Sequence, residues 1–265
     1  MSSKTDTHST GNQAGDQSTS VRQPGGIISL VPSLTELVFH LGLGHRLVGR
    51  TRFCIHPEGE AGGVEIIGGT KNPRIHKIKA LKPAIVITNR EENRKEDVDA
   101  ISNFTDVLVT DITTVDEALQ EMLRIGDALG RSGQAATLVN DIRKEIPGRG
   151  GMESLRALYM IWRDPWMAAG GDTYIHDVMQ LFGLQNVCAG MKRYPQLTEE
   201  QIGELAPQVI LLSSEPYPFR KKHVRELADQ LRIPKILTVD GEWFSWYGPR
   251  MLPSFRSLAA WRQKL

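Results

Sequence analysis

The sequence has little of three things: cysteine, net charge and long apolar segments. Its 265 residues include two cysteines, Cys54 and Cys188, too few for a disulfide framework. With 32 basic and 31 acidic residues, the formal net charge is +1, so no overall field would draw the chain to nucleic acid or an acidic membrane. No apolar run approaches the roughly 20 residues that a membrane-spanning helix needs, so we expect no membrane insertion.

Residues 1–26 have almost no apolar side chains and are rich in Ser, Thr, Gln, Gly and Asp. Such a segment buries too little surface to offset the entropy lost on ordering, so the composition predicts a disordered tail. The segment also lacks the apolar centre of a secretory signal peptide. As written, the sequence therefore predicts a cytoplasmic protein.

The rest of the chain contains the same module twice. Residues 78–89 (IKALKPAIVITN) and 202–214 (IGELAPQVILLSS) each show a short helical run, a proline and an apolar strand. The segments before them, residues 29–49 and 167–190, also share one plan, a strand followed by a turn and an amphipathic helix. Two similar α/β lobes would place a cleft between them, which suits the binding of a small molecule.

The alternation of strands and helices predicts parallel sheets flanked by helices. We predict a first lobe at residues 27–112, a helical connector at 113–153 and a second lobe at 154–265. A helix at about residues 134–146 would bridge the lobes. Three capping boxes should start helices, at Ser33–Glu36, Thr114–Glu117 and Thr198–Gln201.

A loop in the first lobe contains Cys54 and His56, two residues apart. In an extended loop both side chains point the same way, and a thiolate with an imidazole suits zinc, iron or cobalt. The alternative is a buried cysteine beside a histidine bonded to the loop backbone, because two ligands do not make a structural zinc site.

Carboxylates follow the strand in both copies of the module. Glu91 and Glu92 come after the first strand, and Glu215 and Tyr217 come after the second. Parallel sheets bind ligands at the carboxyl ends of their strands, so two facing acidic edges would suit a cationic ligand or a metal ion. The alternative for Glu91 and Glu92 is a solvated helix start, where the helix dipole favours acids.

Tryptophans are concentrated in two loops, residues 162–166 and 243–248. Aromatic side chains in loops often line pockets, so we predict ligand contacts for Trp162, Trp243 and Trp246. Arg250, close to the second loop, could pair with an anionic group of the ligand or with a nearby acid.

Four segments taken together resemble a known family: residues 29–43 (SLVPSLTELVFHLGL), 80–86 (ALKPAIV), 194–197 (YPQL) with Gln201, and 242–250 (EWFSWYGPR). In order and spacing they are similar to the cobalamin- and iron-siderophore-binding proteins of ABC importers. That resemblance implies the fold of class III periplasmic binding proteins, in which two Rossmann-like lobes are bridged by a single long helix.

The resemblance also implies particular ligand contacts, at Pro32, Phe53, Thr70, Asn89, Tyr194 and Trp243. Thr70 and Asn89 occupy positions where the cobalamin-binding members have tryptophan, which implies a more polar cleft. Members that couple to a transporter dock through one surface carboxylate on each lobe. Glu200 matches the position on the second lobe, and His76 replaces the carboxylate on the first.

These observations favour a non-enzymatic protein that binds a metal chelate, either corrinoid or siderophore-like, between its lobes. We expect a monomer without a covalent cofactor, with the chelate as ligand and an ABC permease as a possible partner. The alternative is a cytoplasmic enzyme that processes metal chelates or inserts metal, using Cys54, His56, Glu91 and Glu92.

Overall fold

The first half of the chain forms a four-stranded parallel sheet. The computed structural model describes residues 25–147, 152–231, 233 and 235–265, so the predicted tail lies almost wholly outside the described residues. The strand order is β2-β1-β3-β4, and every neighbouring pair is parallel. The strands are β1 (Ile27–Ser29), β2 (Leu47–Arg50), β3 (Ile85–Asn89) and β4 (Asp106–Thr110), with helices α1 (Pro32–His40), α2 (Ile75–Ala80) and α3 (Lys95–Ser102) in the connections.

Two helices follow the first sheet and lead to the second: α4 (Val115–Ala128) and α5 (Ser132–Glu145). They are joined by a short turn and pack against each other, so the predicted bridging helix is one member of a helical pair. The capping box at the start of α4 is confirmed, because the Thr114 hydroxyl accepts the Glu117 N–H and Glu117 reaches back to the Thr114 N–H. The lobe boundaries themselves stay a prediction.

The second half of the chain forms a mixed sheet with order β10-β9-β5-β6-β8, with β7 also beside β5. Its strands are β5 (Leu155–Trp162), β6 (Trp166–Ala168), β7 (Leu184–Asn186), β8 (Gln196–Leu197), β9 (Val209–Ser213) and β10 (Lys235–Val239). Its helices are α6 (Tyr174–Leu181), α7 (Glu199–Glu204), α8 (Lys221–Gln230), α9 (Glu242–Ser245) and α10 (Met251–Arg262). The central pairs are parallel as predicted, whereas β6 and β8 are antiparallel because a tight hairpin follows β5. Within the described ranges, no helix is both long and apolar enough to cross a bilayer.

Alternation along the strands divides the apolar residues between a central core and two outer cores. Ile27 and Val209 belong to the central core, whereas Ile28 and Ile210 face outer cores of the first and second sheet. Successive side chains of a strand point to opposite faces, so strands covered on both faces read as continuous apolar runs. The central core extends from the first sheet through α4 and α5 to α6 and α10, so one apolar core joins both lobes.

A second connection between the lobes involves the segment after α9. A 3₁₀ turn at Gly248–Arg250 packs against α1 of the first lobe. Gly248 has a φ of 86°, and a Cβ there would lie 3.1 Å from the Ser33 carbonyl oxygen, so the close approach requires glycine. Arg250 adds a bidentate ion pair, with Nη2 2.9 Å from Glu36 Oε1 and Nε 3.2 Å from Glu36 Oε2.

The predicted capping box at Ser33–Glu36 is wrong, and this ion pair explains why. Helix α1 begins at Pro32 with Val31 as its N-cap, two residues before the predicted one, and the missing N–H of proline costs nothing in the first turn. Ser33 therefore lies within the helix, and Glu36 turns to Arg250. The third predicted box is confirmed, because Thr198 and Gln201 cap α7 reciprocally.

Removing the charge of Glu36 should weaken the fold. We expect Glu36→Gln to lower the free energy of unfolding by about 2 kcal/mol, because the half-buried Arg250 loses its bidentate partner. The matched control is Glu145→Gln, whose partner Arg256 is 61% exposed, and we expect a loss below about 1 kcal/mol. Chemical denaturation of both variants measures the difference, and equal losses would contradict the assigned role of the Arg250 pair.

Candidate functional site

A cleft lies between the lobes at the carboxyl ends of β1, β3, β5 and β9. Its volume is about 710 Å³, within the range of sites that hold small molecules. Both lobes contribute to its walls, as expected at the strand ends of parallel sheets. Seven of the residues predicted to bind ligand line it: Pro32, Phe53, Glu91, Glu92, Tyr194, Glu215 and Trp246.

Apolar side chains line both sides of the cleft. Phe53 and Ile55 are 51% and 58% exposed on the wall of the first lobe. Tyr194 and Trp246 belong to the wall of the second lobe. Large apolar side chains exposed in a concave site gain free energy when a ligand with broad apolar faces displaces the water around them.

The loop that carries Phe53 and Ile55 is fixed from below by Arg50, which is 7% exposed. Its Nε donates to the Ala61 carbonyl at 2.6 Å, and its Nη1 donates to the Cys54 carbonyl at 3.1 Å. A buried guanidinium that bonds several loop carbonyls holds the loop in one shape. The exposure of Phe53 is therefore a property of an ordered loop.

The structure does not bring Cys54 and His56 together as a pair of metal ligands. Cys54 is fully buried, its sulfur accepts the Thr35 hydroxyl at 3.0 Å, and burial raises the pKa of its thiol. His56 turns to the second lobe, where its Nε2 lies 3.2 Å from Glu242 Oε1. Among the residues that the structure describes, no group of three or more His, Cys, Asp or Glu side chains could hold a metal ion.

His56 and Arg250 support the tryptophan that lines the cleft. The His56 ring meets Trp246 edge-on at 5.4 Å, and the Arg250 guanidinium lies 5.6 Å from the centroid of the same ring. Arg250 also reaches Glu242, with Nη1 3.3 Å from Oε2. Arg250 is not among the residues lining the cleft; it pairs with nearby acids, the second of the two predicted alternatives, and packs against the Trp246 ring.

Asn89 and Thr70, predicted to touch the ligand, instead hold the loop after β3. Asn89 is 2% exposed, and its Oδ1 accepts the N–H groups of Glu91 at 2.8 Å and Glu92 at 3.2 Å. The Thr70 carbonyl accepts the amide of Asn93 at 2.9 Å. Neither side chain lines the cleft, but together these bonds aim the two glutamates into it.

Glu91, Glu92 and Glu215 all line the cleft, as the symmetry of the two modules predicted. Glu91 accepts the Tyr194 hydroxyl and lies 3.0 Å from Arg193 Nη2, so it links the two walls. Glu215 accepts the Ser245 hydroxyl at 3.0 Å and the Trp246 indole N–H at 2.6 Å.

Burial raises the pKa of both Glu92 and Glu215 above the ordinary value of a glutamate. For Glu92, the charges of Glu91 and Glu215 add to the rise and that of Lys71 opposes it. For Glu215, the hydrogen bonds from Trp246 and Ser245 lower the pKa and so oppose the effect of burial.

Three other predicted aromatic contacts are not among the residues that line the cleft. Trp162, at the end of β5, is 40% exposed and meets the Tyr217 ring at 5.5 Å. Tyr217 continues this aromatic group toward Phe219. Trp243 packs on Trp261 of α10 at 6.4 Å. These rings stabilise the second lobe, because they find partners on their own lobe.

A glycine pair places the segment that carries Tyr194. The Gly170 and Gly171 N–H groups donate to the carbonyls of Arg193 at 2.7 Å and Met191 at 2.8 Å. A Cβ on Gly171 would lie 2.0 Å from the Ala189 carbonyl oxygen, so the two backbones approach as closely as glycine permits.

Three basic residues that were not predicted from the sequence also line the cleft: Arg52, Lys71 and Arg193. All three are exposed. Each is the direct sequence neighbour of a residue that was predicted to bind ligand. That position was the one feature of the sequence that indicated a place in the cleft.

The predicted docking residues are both on the surface. His76 and Glu200 are exposed, and each lies in the first turn of a short helix, α2 in the first lobe and α7 in the second. Their equivalent places in the two modules agree with the internal repeat.

Known proteins resemble the chain over nearly its whole length. A vitamin B12-binding protein of Pectobacterium carotovorum is 26% identical over 86% of this chain and 85% of its own. An uncharacterized ABC transporter substrate-binding lipoprotein of Bacillus subtilis is also 26% identical, over 90% of this chain and 80% of its own.

Solved structures show the same fold. A periplasmic heme-binding protein of Roseiflexus sp. RS-1, in apo form, superposes with a TM-score of 0.78 at 21% identity, covering 91% of this chain and 98% of its own. The periplasmic vitamin B12-binding protein of Vibrio cholerae superposes with a TM-score of 0.75 at 22% identity, covering 90% and 96%.

These relatives correct one prediction and confirm another. The predicted cytoplasmic location is wrong, because the relatives are named as periplasmic proteins or as a lipoprotein of an ABC transporter. The resemblance to the binding proteins of ABC importers is confirmed, since the model of the family described as periplasmic binding protein matches residues 27–232. The chain therefore belongs to the periplasmic binding protein family, which consists of solute-binding proteins and not enzymes.

Proposed function

We propose that this protein binds a metal chelate, corrinoid or iron-containing, in the cleft between its lobes. The observation that carries this proposal is the composition of the two walls. Exposed apolar side chains of the first lobe and aromatic side chains of the second lobe line a cleft of about 710 Å³, together with three half-buried carboxylates. A ligand that satisfies such a site needs both broad apolar faces and polar groups at its edge.

The relatives support this class of ligand, because the names of several refer to vitamin B12 or heme. Planar chelates of this kind can place their faces against Phe53 and Trp246. The carboxylates in the cleft favour a chelate with more polar groups than a cleft lined by aromatic side chains alone would bind.

We further propose that the protein acts as a monomer and delivers its ligand to an ABC permease. The family and the lipoprotein relative support a transporter partner. Glu200 is exposed on the second lobe and could pair with a basic residue of the permease, whereas His76 offers the first lobe a weaker, pH-dependent contact.

Ligand binding should stabilise the protein by an amount that rises with the logarithm of the ligand concentration divided by Kd. A free ligand at 100 times its Kd should add about 2.7 kcal/mol to the free energy of unfolding. Thermal melting with cyanocobalamin, hemin and ferrioxamine B provides the panel. We expect Phe53→Ala to weaken binding of the active compound about tenfold, because one apolar wall is lost.

The matched control is Ile66→Ala, which truncates an apolar side chain that is 44% exposed and is not among the residues lining the cleft. We expect this variant to keep the affinity of the unmodified protein. Unchanged melting temperatures across the whole panel would overturn the proposed function.

Glu200→Ala should weaken binding to the permease without changing ligand affinity, because the residue lies on the surface away from the cleft. Glu204→Ala, on the same helix and also exposed, is the control and should change neither. Binding of each variant to the partner permease in nanodiscs measures the effect. Equal permease affinity for both variants would contradict docking through Glu200.

A further inference from the structure

Glu92 stands apart from the other two carboxylates in the cleft. Glu91 is bonded to Tyr194 and Arg193, and Glu215 is bonded to Ser245 and Trp246. For Glu92, the described residues provide neighbouring charges but no hydrogen bond to the carboxylate. Its side chain is half-buried, and its backbone N–H donates to Asn89 Oδ1 at 3.2 Å.

A half-buried carboxylate without a protein donor is hydrogen-bonded to water, and a ligand N–H that displaces the water can take its place. The Nζ of Lys71, whose charge acts on Glu92, donates to the Glu91 carbonyl rather than to the Glu92 carboxylate. Arg52 and Arg193 are exposed, and each guanidinium lies close to an aromatic ring, that of Phe53 at 5.2 Å and that of Tyr194 at 5.7 Å. Within the described part of the chain, the Glu92 carboxylate therefore accepts no hydrogen bond.

We propose that Glu92 is a specificity-determining residue, which accepts an N–H donor from a carboxamide or ammonium group at the edge of the bound chelate. This inference rests on the proposed function and narrows it. The cleft binds chelates that place a carboxamide or ammonium group beside Glu92 more tightly than chelates that place a carboxylate there.

This preference follows from the charges around Glu92. A ligand carboxylate placed beside Glu92 would also face Glu91 and Glu215. Like charges in a partly buried site repel strongly, whereas an N–H donor finds a free acceptor. The exposed basic residues can accommodate ligand carboxylates that stay near solvent.

The test compares chelates that share a ring and a metal. Dicyanocobinamide has carboxamides around its corrin ring, and dicyanocobyrinic acid has carboxylates on the same ring. Ferrioxamine B, which ends in a free ammonium group, and its N-succinyl derivative, which ends in a carboxylate, extend the comparison to a ferric hydroxamate. Calorimetric titration with the full chain and with Glu92→Gln gives the affinities at neutral pH.

We expect the unmodified protein to prefer the carboxamide or ammonium member of a pair by about 10- to 100-fold. Glu92→Gln should reduce that preference to a few-fold, since a neutral amide neither repels carboxylates nor attracts cations strongly. Glu96→Gln makes the same change at an exposed position of α3 and should leave the preference intact. Thermal melting of both variants without ligand confirms folding.

Three results would contradict either the role of Glu92 or the proposed function, and each shows which of the two fails. If the chelates bind without preference, or if Glu92→Gln weakens both members of a pair equally, the role of Glu92 is overturned while the proposed function stands. If no chelate binds, including cyanocobalamin and hemin, the proposed function is overturned and the role of Glu92 with it.

Discussion

The apolar core shared by the two lobes is the constraint on which the rest of the structure depends. Side chains of α1, of the paired helices α4 and α5, and of α6 and α10 belong to one cluster. A close-packed core resists deformation, so the distance between the strand ends of the two sheets is set by packing. The contact of the Gly248–Arg250 turn with α1 supports the same arrangement from the other end of the chain. The cleft is therefore largely formed before any ligand arrives.

A preformed cleft explains why so many buried polar residues surround it without entering it. Arg50 and Asn89 bond loop backbones, and Arg250 bonds acids of both lobes. Each bond orders a loop before a ligand binds. The loop therefore loses less conformational entropy on binding. Aromatic rings and carboxylates thus line the cleft, while Arg50, Asn89 and Arg250 hold the segments that carry them.

Sequence patterns predicted what depends on near neighbours in the chain. Apolar periodicity and the repeated module indicated the two sheets, and Thr114 and Thr198 were recognised as helix caps from spacing alone. Symmetry between the modules placed Glu91 and Glu215 in one cleft. Patterns failed where the partner is distant in sequence: Glu36 pairs with Arg250, more than 200 residues away, so its local capping pattern misled.

The same reason explains why several residues predicted to bind ligand do not line the cleft. A polar residue at a strand end faces either the ligand or its own loop, and Asn89 faces its loop because the following N–H groups need an acceptor. Trp162 and Trp243 find rings on their own lobe, a pairing that sequence does not reveal. The predicted location failed for another reason, because it was derived from residues 1–26, almost all of which are outside the described residues.

Charged side chains of both signs line the cleft, and they differ in exposure. Glu91, Glu92 and Glu215 are half-buried, and burial raises the pKa of Glu92 and Glu215, whereas Arg52, Lys71 and Arg193 are exposed. Exposed charges are screened by water and salt, whereas half-buried charges act through a less polarisable medium. The carboxylates therefore discriminate between ligands more strongly than the basic side chains, which act mainly on how anionic groups approach.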